Sequence, residues 1–219
     1  YIGDPYSASV TVYRSSLNDP FGEPWDWLSE AGKGGGMLAA AGSHHIDSLR
    51  WWLGDVKSVA GATATMVKRR RLPESSQTAP VDADDNFVVL MRLVCGALAT
   101  IHYSATATHD VGDEVILSGS EGVLVITGDG HILGGRRREA LAELPIPERL
   151  TPEFPPFEHP LTVPTIHLLR EWVRAIRLGI PGEPSFADGV KVQEVIDGVL
   201  RSSQQGRWIE IARSRFQIA

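Results

Sequence analysis

Residues 34–54 read G-G-G-M-L-A-A-A-G-S-H-H-I-D-S-L-R-W-W-L-G, from Gly34 to Gly54. Three glycines open the stretch, a helical pattern follows, and Gly54 closes it. Leu38, Gly42, His45, Leu49 and Leu53 recur at spacings of three and four and so share one face of a helix. Ala40, His44, Asp47 and Trp51 share another. A histidine and a carboxylate one turn apart, beside small residues, present polar groups to a cleft while the helix packs closely on its other side. His44 is therefore the leading candidate for chemistry. Neutral imidazole takes or gives a proton near pH 7, and Asp47 is placed to fix its tautomer. The competing reading is a structural or surface histidine. His45 points about 100° away from His44 on a helix, so the two do not share a metal, and His45 reads as packing or a buried hydrogen bond.

The chain has 219 residues, 42% of them hydrophobic, enough for one large domain or two small ones. A net charge of −6 argues against a phosphate-backbone binder, which needs a net basic face, so nucleic acid is not expected as a partner. A single cysteine, Cys95, excludes an internal disulfide framework and suits a reducing compartment, with the cytoplasm as the expected location. No apolar run approaches the roughly 20 residues that span a bilayer, so no membrane is expected.

Outward from the opening stretch, period-two alternation predicts strands at 6–15 and 56–70, the second broken near Gly61, with an ordered loop at 18–33 and another at 71–80. Two β-rich runs, 85–94 and 97–107, are joined by Cys95-Gly96 as a hairpin, and 115–118 with 123–127 form a second pair. Gly128-Asp129-Gly130 turns the chain into 131–133. Residues 136–164 are rich in proline and charge and read as irregular. Amphipathic helices are expected at 165–178 and 188–205, and a last strand at 208–211. Tight hairpins cannot join parallel neighbours, so the sheet is antiparallel or mixed. The fold class is α+β, an open, largely antiparallel mixed sheet with helices packed on one face. The uncovered face predicts self-association, with Val89, Met91, Leu93, Leu98 and Tyr103 as contributors subject to register.

Other candidates are weaker. His102, His109, His131, His159 and His167 show no metal-ligand spacing, and no metal is expected. Gly128 to Gly130 lie between strands, where no helix N-terminus receives a pyrophosphate. The basic runs 68–71 and 136–138 read as solvated loop charge. Trp25, Trp27, Trp51 and Trp52 are either sugar-stacking faces or core.

Gly34-Gly35-Gly36-Met37-Leu38, then Gly42-Ser43-His44 and Ile46-Asp47, resemble the G-G-G-x-L-x-D-x-G-x-H-x-I-D signature of the Gfo/Idh/MocA oxidoreductases, the glucose-fructose oxidoreductase and inositol dehydrogenase family. Trp27, Asp85-Asn86, Gly96-Ala97, Gly119 to Gly122, Asp188-Gly189, Ser203 and Gly206 follow in the family's order, so the resemblance covers nearly the whole chain. It implies that residues 1–219 form one substrate-binding and oligomerisation domain, with the open sheet seen in the C-terminal domain of dihydrodipicolinate reductase. An N-terminal Rossmann domain, expected to bind NAD or NADP and to carry the family's catalytic lysine, is absent from this chain. No cofactor-binding residues are therefore expected here, and the fragment alone should be inactive. The implied activity is hydride transfer between nicotinamide and a sugar, polyol or related hydroxy or keto compound, with a small-molecule substrate and a homo-oligomer through the open sheet face. By the same resemblance His44 is the catalytic histidine, and Asp47, Trp27, Lys33 and His45 are supporting or substrate-binding candidates. The family's aspartate, four residues before that histidine, falls at Ala40, which neither hydrogen-bonds through its side chain nor carries charge. Two readings follow: a subgroup that works with His44 and the absent lysine, or a non-catalytic ligand-binding, regulatory or assembly domain of the same fold.

Overall fold

In the computed structural model, which describes residues 1–147, 150 and 162–211, the alternating segments assemble one nine-stranded sheet. Along the chain the strands are β1 (Pro5–Tyr13), β2 (Val56–Ala64), β3 (Arg69–Arg71), β4 (Thr78–Pro80), β5 (Asn86–Leu93), β6 (Leu98–Ser104), β7 (Gly112–Gly119), β8 (Gly122–Thr127), β9 (Ile132–Arg136), β10 (Ala142–Glu143) and β11 (Ile209–Glu210). The order across the main sheet is β10-β9-β8-β7-β1-β6-β5-β2-β11, with β3 and β4 forming a separate hairpin. β1 runs parallel to β6 and antiparallel to β7, and the other pairs are antiparallel, so the sheet is mixed as expected. The helices are α1 (Ser43–Leu53), α2 (Thr162–Leu178) and α3 (Phe186–Gln205).

Period-two alternation decides which side is core. Ala8, Val10 and Val12 of β1, Val89 and Met91 of β5, and Ala99 and Ile101 of β6 point to one face and are buried. Ile46, Leu49 and Leu53 of α1 and Val192, Val195, Ile196 and Val199 of α3 close over that face. The opposite face carries Ser9, Thr11, Thr100 and His102 interleaved with Val88, Leu90 and Leu98. Among the residues expected to form an associating surface, only Leu98 lies there, 56% exposed. Val89, Met91, Leu93 and Tyr103 are buried in the core beneath the helices, because the register sends them to the other side.

Three departures from the sequence reading have local causes. β2 ends at Ala64 rather than 70 because the Asp85 carboxylate accepts the Met66 and Val67 N–H groups (2.7 and 2.8 Å) and draws the backbone out of the sheet. Part of the expected loop at 71–80 belongs to the β3–β4 hairpin. Arg69 clasps Thr78 through Nε (2.9 Å), and the buried Arg70 donates to the Leu17 carbonyl (2.7 Å). α3 begins at Phe186 because Ser185 and Asp188 form a reciprocal capping box. The segment expected to be irregular, 136–164, contains β10 and the start of α2, and its remainder lies partly outside the described residues.

Candidate functional site

The triple glycine has a steric origin. A Cβ on Gly35 would stand 2.6–2.7 Å from the carbonyl oxygens of Trp27, Leu28 and Glu30, which the loop gathers around it. Gly36 has φ +103° and would drive a Cβ to 2.2 Å from Asp84 Oδ1. Asp84 comes this close because it holds the start of the helix. Its Oδ2 accepts the Leu38 N–H (2.8 Å) and its carbonyl accepts the Met37 N–H (2.9 Å). Burial pushes the Asp84 carboxyl up to about 6, against the opposing pull of the Leu38 N–H.

After this start the chain makes a π-helical turn, Leu38–Gly42, before α1 proper. Gly42 permits close packing, since a Cβ there would lie 2.9 Å from the Phe87 ring and 3.1 Å from Leu38. The π turn shifts the faces of the helix relative to an α-helical reading. Ala39, Ser43, His44 and Asp47 line one side of a cleft of about 790 Å3, whereas Ala40 is half-buried outside its lining. Trp172 and Ile176 of α2, Ile180 of the segment after it and Phe186 at the start of α3 form the opposite side. Its chemistry is an exposed imidazole and two carboxylates, Asp47 and Asp188, facing an apolar wall.

The structure separates the candidate residues. His44 is exposed and has no hydrogen-bond partner among the described residues. Asp47 turns instead to Arg50, whose Nη1 donates to its Oδ1 at 3.3 Å. His45 is packed beside Tyr103, ring centroids 6.3 Å apart, and burial lowers its pKa more than the nearby Asp113 charge raises it, leaving a neutral packing histidine. Lys33 pairs with Glu30, and its Nζ lies 5.8 Å from the centre of the Trp25 ring. Trp27 sits exposed on the 3-10 turn Trp27–Ser29. Neither Lys33 nor Trp27 lines the cleft.

One residue that spacing alone did not single out organises the site. Arg50 is buried on α1 and donates to Asp47, to Asp55 at 3.0 Å and to the Asp188 carbonyl at 3.4 Å, with the Asp188 carboxylate 3.8 Å away. It ties the His44-bearing helix to the start of α3. Burial alone would raise Asp55, but hydrogen bonds from Lys191 and Arg50 outweigh it and hold the carboxyl below its ordinary value. Asp188 is held low first by the Ser185 N–H. Asp188 lies 138 residues from Arg50, a separation at which no periodicity reports a contact.

The starts leading into α1 and α3 do not offer a dinucleotide a phosphate site. Asp84 occupies the N-terminal donors before α1, and Ser185 and Asp188 occupy those of α3, so an anion would meet a carboxylate at either end. Among the described residues no three His, Cys, Asp or Glu side chains are grouped as metal ligands, and His159 lies outside those residues. No helix among them is long and apolar enough to cross a membrane.

Comparison with known proteins bears on this architecture. An uncharacterized oxidoreductase of Synechocystis sp. is 27% identical over 197 residues, covering 85% of this chain and 53% of that protein. The chain thus spans little more than half the length of this relative. A solved oxidoreductase domain protein from Kribbella flavida superimposes with a TM-score of 0.84 at 27% identity, covering 97% of this chain and 60% of that one. The structure of levoglucosan dehydrogenase in complex with NADH and L-sorbose gives a TM-score of 0.86 at 22% identity, covering 96% and 60%, a likeness of fold. The family profile of the GFO/IDH/MocA C-terminal domain matches residues 1–125, more than half of the sequence. With the glycine approach, the histidine-bearing helix and the open mixed sheet all in place, the chain belongs to the Gfo/Idh/MocA family of oxidoreductases.

Proposed function

We propose that this chain is the substrate-binding and oligomerisation domain of an NAD(P)-dependent oxidoreductase acting on a sugar, a polyol or a related hydroxy or keto compound. The observation that carries the reading is the exposed His44 imidazole, free of any partner among the described residues, on the wall of a cleft whose other side is apolar. His44 would exchange a proton with the substrate hydroxyl as it becomes a carbonyl, or the reverse. The nicotinamide, held by residues outside this chain, would accept or give the hydride. Asp47, fixed by Arg50 rather than by His44, is left to accept a hydrogen bond from a substrate hydroxyl. With the nicotinamide held outside it, the chain alone should be inactive. The unpaired, exposed Cys95 supports a reducing cytoplasmic setting. The sheet face bearing Val88, Leu90 and Leu98 is the proposed contact between copies.

The test is turnover by the full-length parent on a panel of polyols and sugars with NAD⁺ and NADP⁺, followed by His44→Ala. A loss of about a hundredfold or more is expected for a positioned acid–base group. Unchanged turnover in the variant would sink the assigned role. A second reading, a non-catalytic ligand-binding or regulatory domain, is favoured by alanine at position 40. Tight cofactor binding by the parent with no hydride transfer on any substrate would support it, and a measurable rate on one substrate would end it.

A further inference from the structure

A second cleft, also of about 790 Å3, adjoins the first and shares Asp47, Ala175, Ile180 and Asp188 with it. Its α1 side runs from Asp47 through Ser48 to Trp51 and on to Asp55. Trp51 is 81% exposed, and no ring or cation engages its indole among the described residues. Around it stand ion-paired side chains that are only partly covered: Glu171 with Arg174, and Lys191 with Asp55. A flat apolar face bordered by both acceptors and donors matches a pyranose ring, whose C–H face stacks on indole while its hydroxyls meet the charged rim. His44 and Trp51 are seven residues apart on one helix, about 10.5 Å along its axis, which is longer than a single sugar ring. Each cleft falls within the roughly 300–1,000 Å3 of an ordinary small-molecule site, and the two overlap, so that together they run along α1 from His44 to Trp51.

We propose that the Trp51 cleft is a second-ring subsite, so that the substrate is a glycoside or disaccharide whose reacting ring lies at His44 and whose other ring stacks on Trp51. This rests on the sugar-oxidoreductase reading above and names its substrate class.

The test uses the full-length parent with NAD⁺ or NADP⁺, comparing monosaccharides with the matching disaccharides for wild type, Trp51→Ala and Trp51→Phe. The wild type is expected to favour the disaccharide in kcat/KM. Trp51→Ala should lose about fivefold to tenfold on the disaccharide and less than about twofold on the monosaccharide, with Trp51→Phe recovering most of the loss. Preference for the monosaccharide, or an equal loss on both, would overturn the proposal; the latter is the result if another part of the parent covers Trp51. Because the side chain is exposed, the variants should melt with the wild type, and a variant that does not fold also counts against a free subsite. If no sugar is turned over, the function reading fails separately. Calorimetric titration with the disaccharides then decides the subsite: binding weakened about fivefold or more by Trp51→Ala supports it, and no binding refutes it.

Discussion

Asp84 offers a sharp check on how the helix start is built. Its carboxyl accepts the Leu38 N–H and lies so close to Gly36 that no side chain fits there. Burial raises its pKa from 3.8 to about 6. The two values lie about two pH units apart, and at about 1.4 kcal/mol each the ionised form costs about 3 kcal/mol in the fold relative to the unfolded chain. For an acid whose folded pKa is raised, the folded state holds the proton longer, so stability falls as pH climbs from 3.8 to about 6. Integrating that titration, about 2 kcal/mol is lost between pH 4.5 and 7.5. Asp84→Asn keeps an oxygen to accept the Leu38 N–H and cannot ionise. Urea unfolding of both proteins at the two pH values is the assay, because lowered carboxyls such as Asp55 and Asp188 contribute equally to each and cancel in the difference. The variant should gain on the wild type by about 2 kcal/mol on going from pH 4.5 to 7.5. A difference that stays flat would refute the burial argument, whatever its absolute size.

Arg50→Met removes the cation that holds Asp47, Asp55 and the start of α3. Those carboxylates keep 37–49% exposure and can recover water, so the loss should be about 2–3 kcal/mol in the urea midpoint rather than the full cost of a deeply buried pair. His131 is raised first by its hydrogen bond to Glu143, and the Nδ1 to Oε1 distance is 2.7 Å. The pairing is present below pH 6.5 and lost as pH rises through the folded value, so in an NMR titration Glu143→Gln should bring the His131 midpoint down. Leu90→Arg with Leu98→Arg should reduce the light-scattering mass at micromolar concentration to that of one chain, if the open face joins copies. A wild type already at one chain would end that proposal.

Much of this architecture was legible because period-two and period-three-to-four patterns report burial directly. The β5–β6 and β7–β8 hairpins, the two later helices and the His44 helix all follow from it. What escaped was decided by contacts distant in the chain or by hydrogen bonds that periodicity does not register. Asp85 cutting β2 short at Ala64 acts through two backbone N–H groups. Arg50 joins Asp47 of α1 and Asp55 just beyond it to Asp188 of α3, 138 residues away. The associating surface was misassigned because a one-residue phase error sends Val89, Met91 and their neighbours to the opposite side. The Ser185 start of α3 carried a readable capping pattern, serine followed three residues later by an acid, that the helical stripe alone overlooks. At the site, the helical pattern anticipated that His44 and Asp47 share one face, but not that Asp47 turns to Arg50. A carboxylate at i+3 can turn to either neighbour, and a buried guanidinium outbids an exposed imidazole for it.

The central claim is that His44 carries the proton while the hydride partner is bound outside this chain. The most direct measurement is the pH dependence of single-turnover nicotinamide reduction by the full-length parent, wild type against His44→Ala. The wild type should show a limb in which the rate rises as one group loses its proton, and the variant should be slower and lack that limb. An identical profile in both would contradict the account.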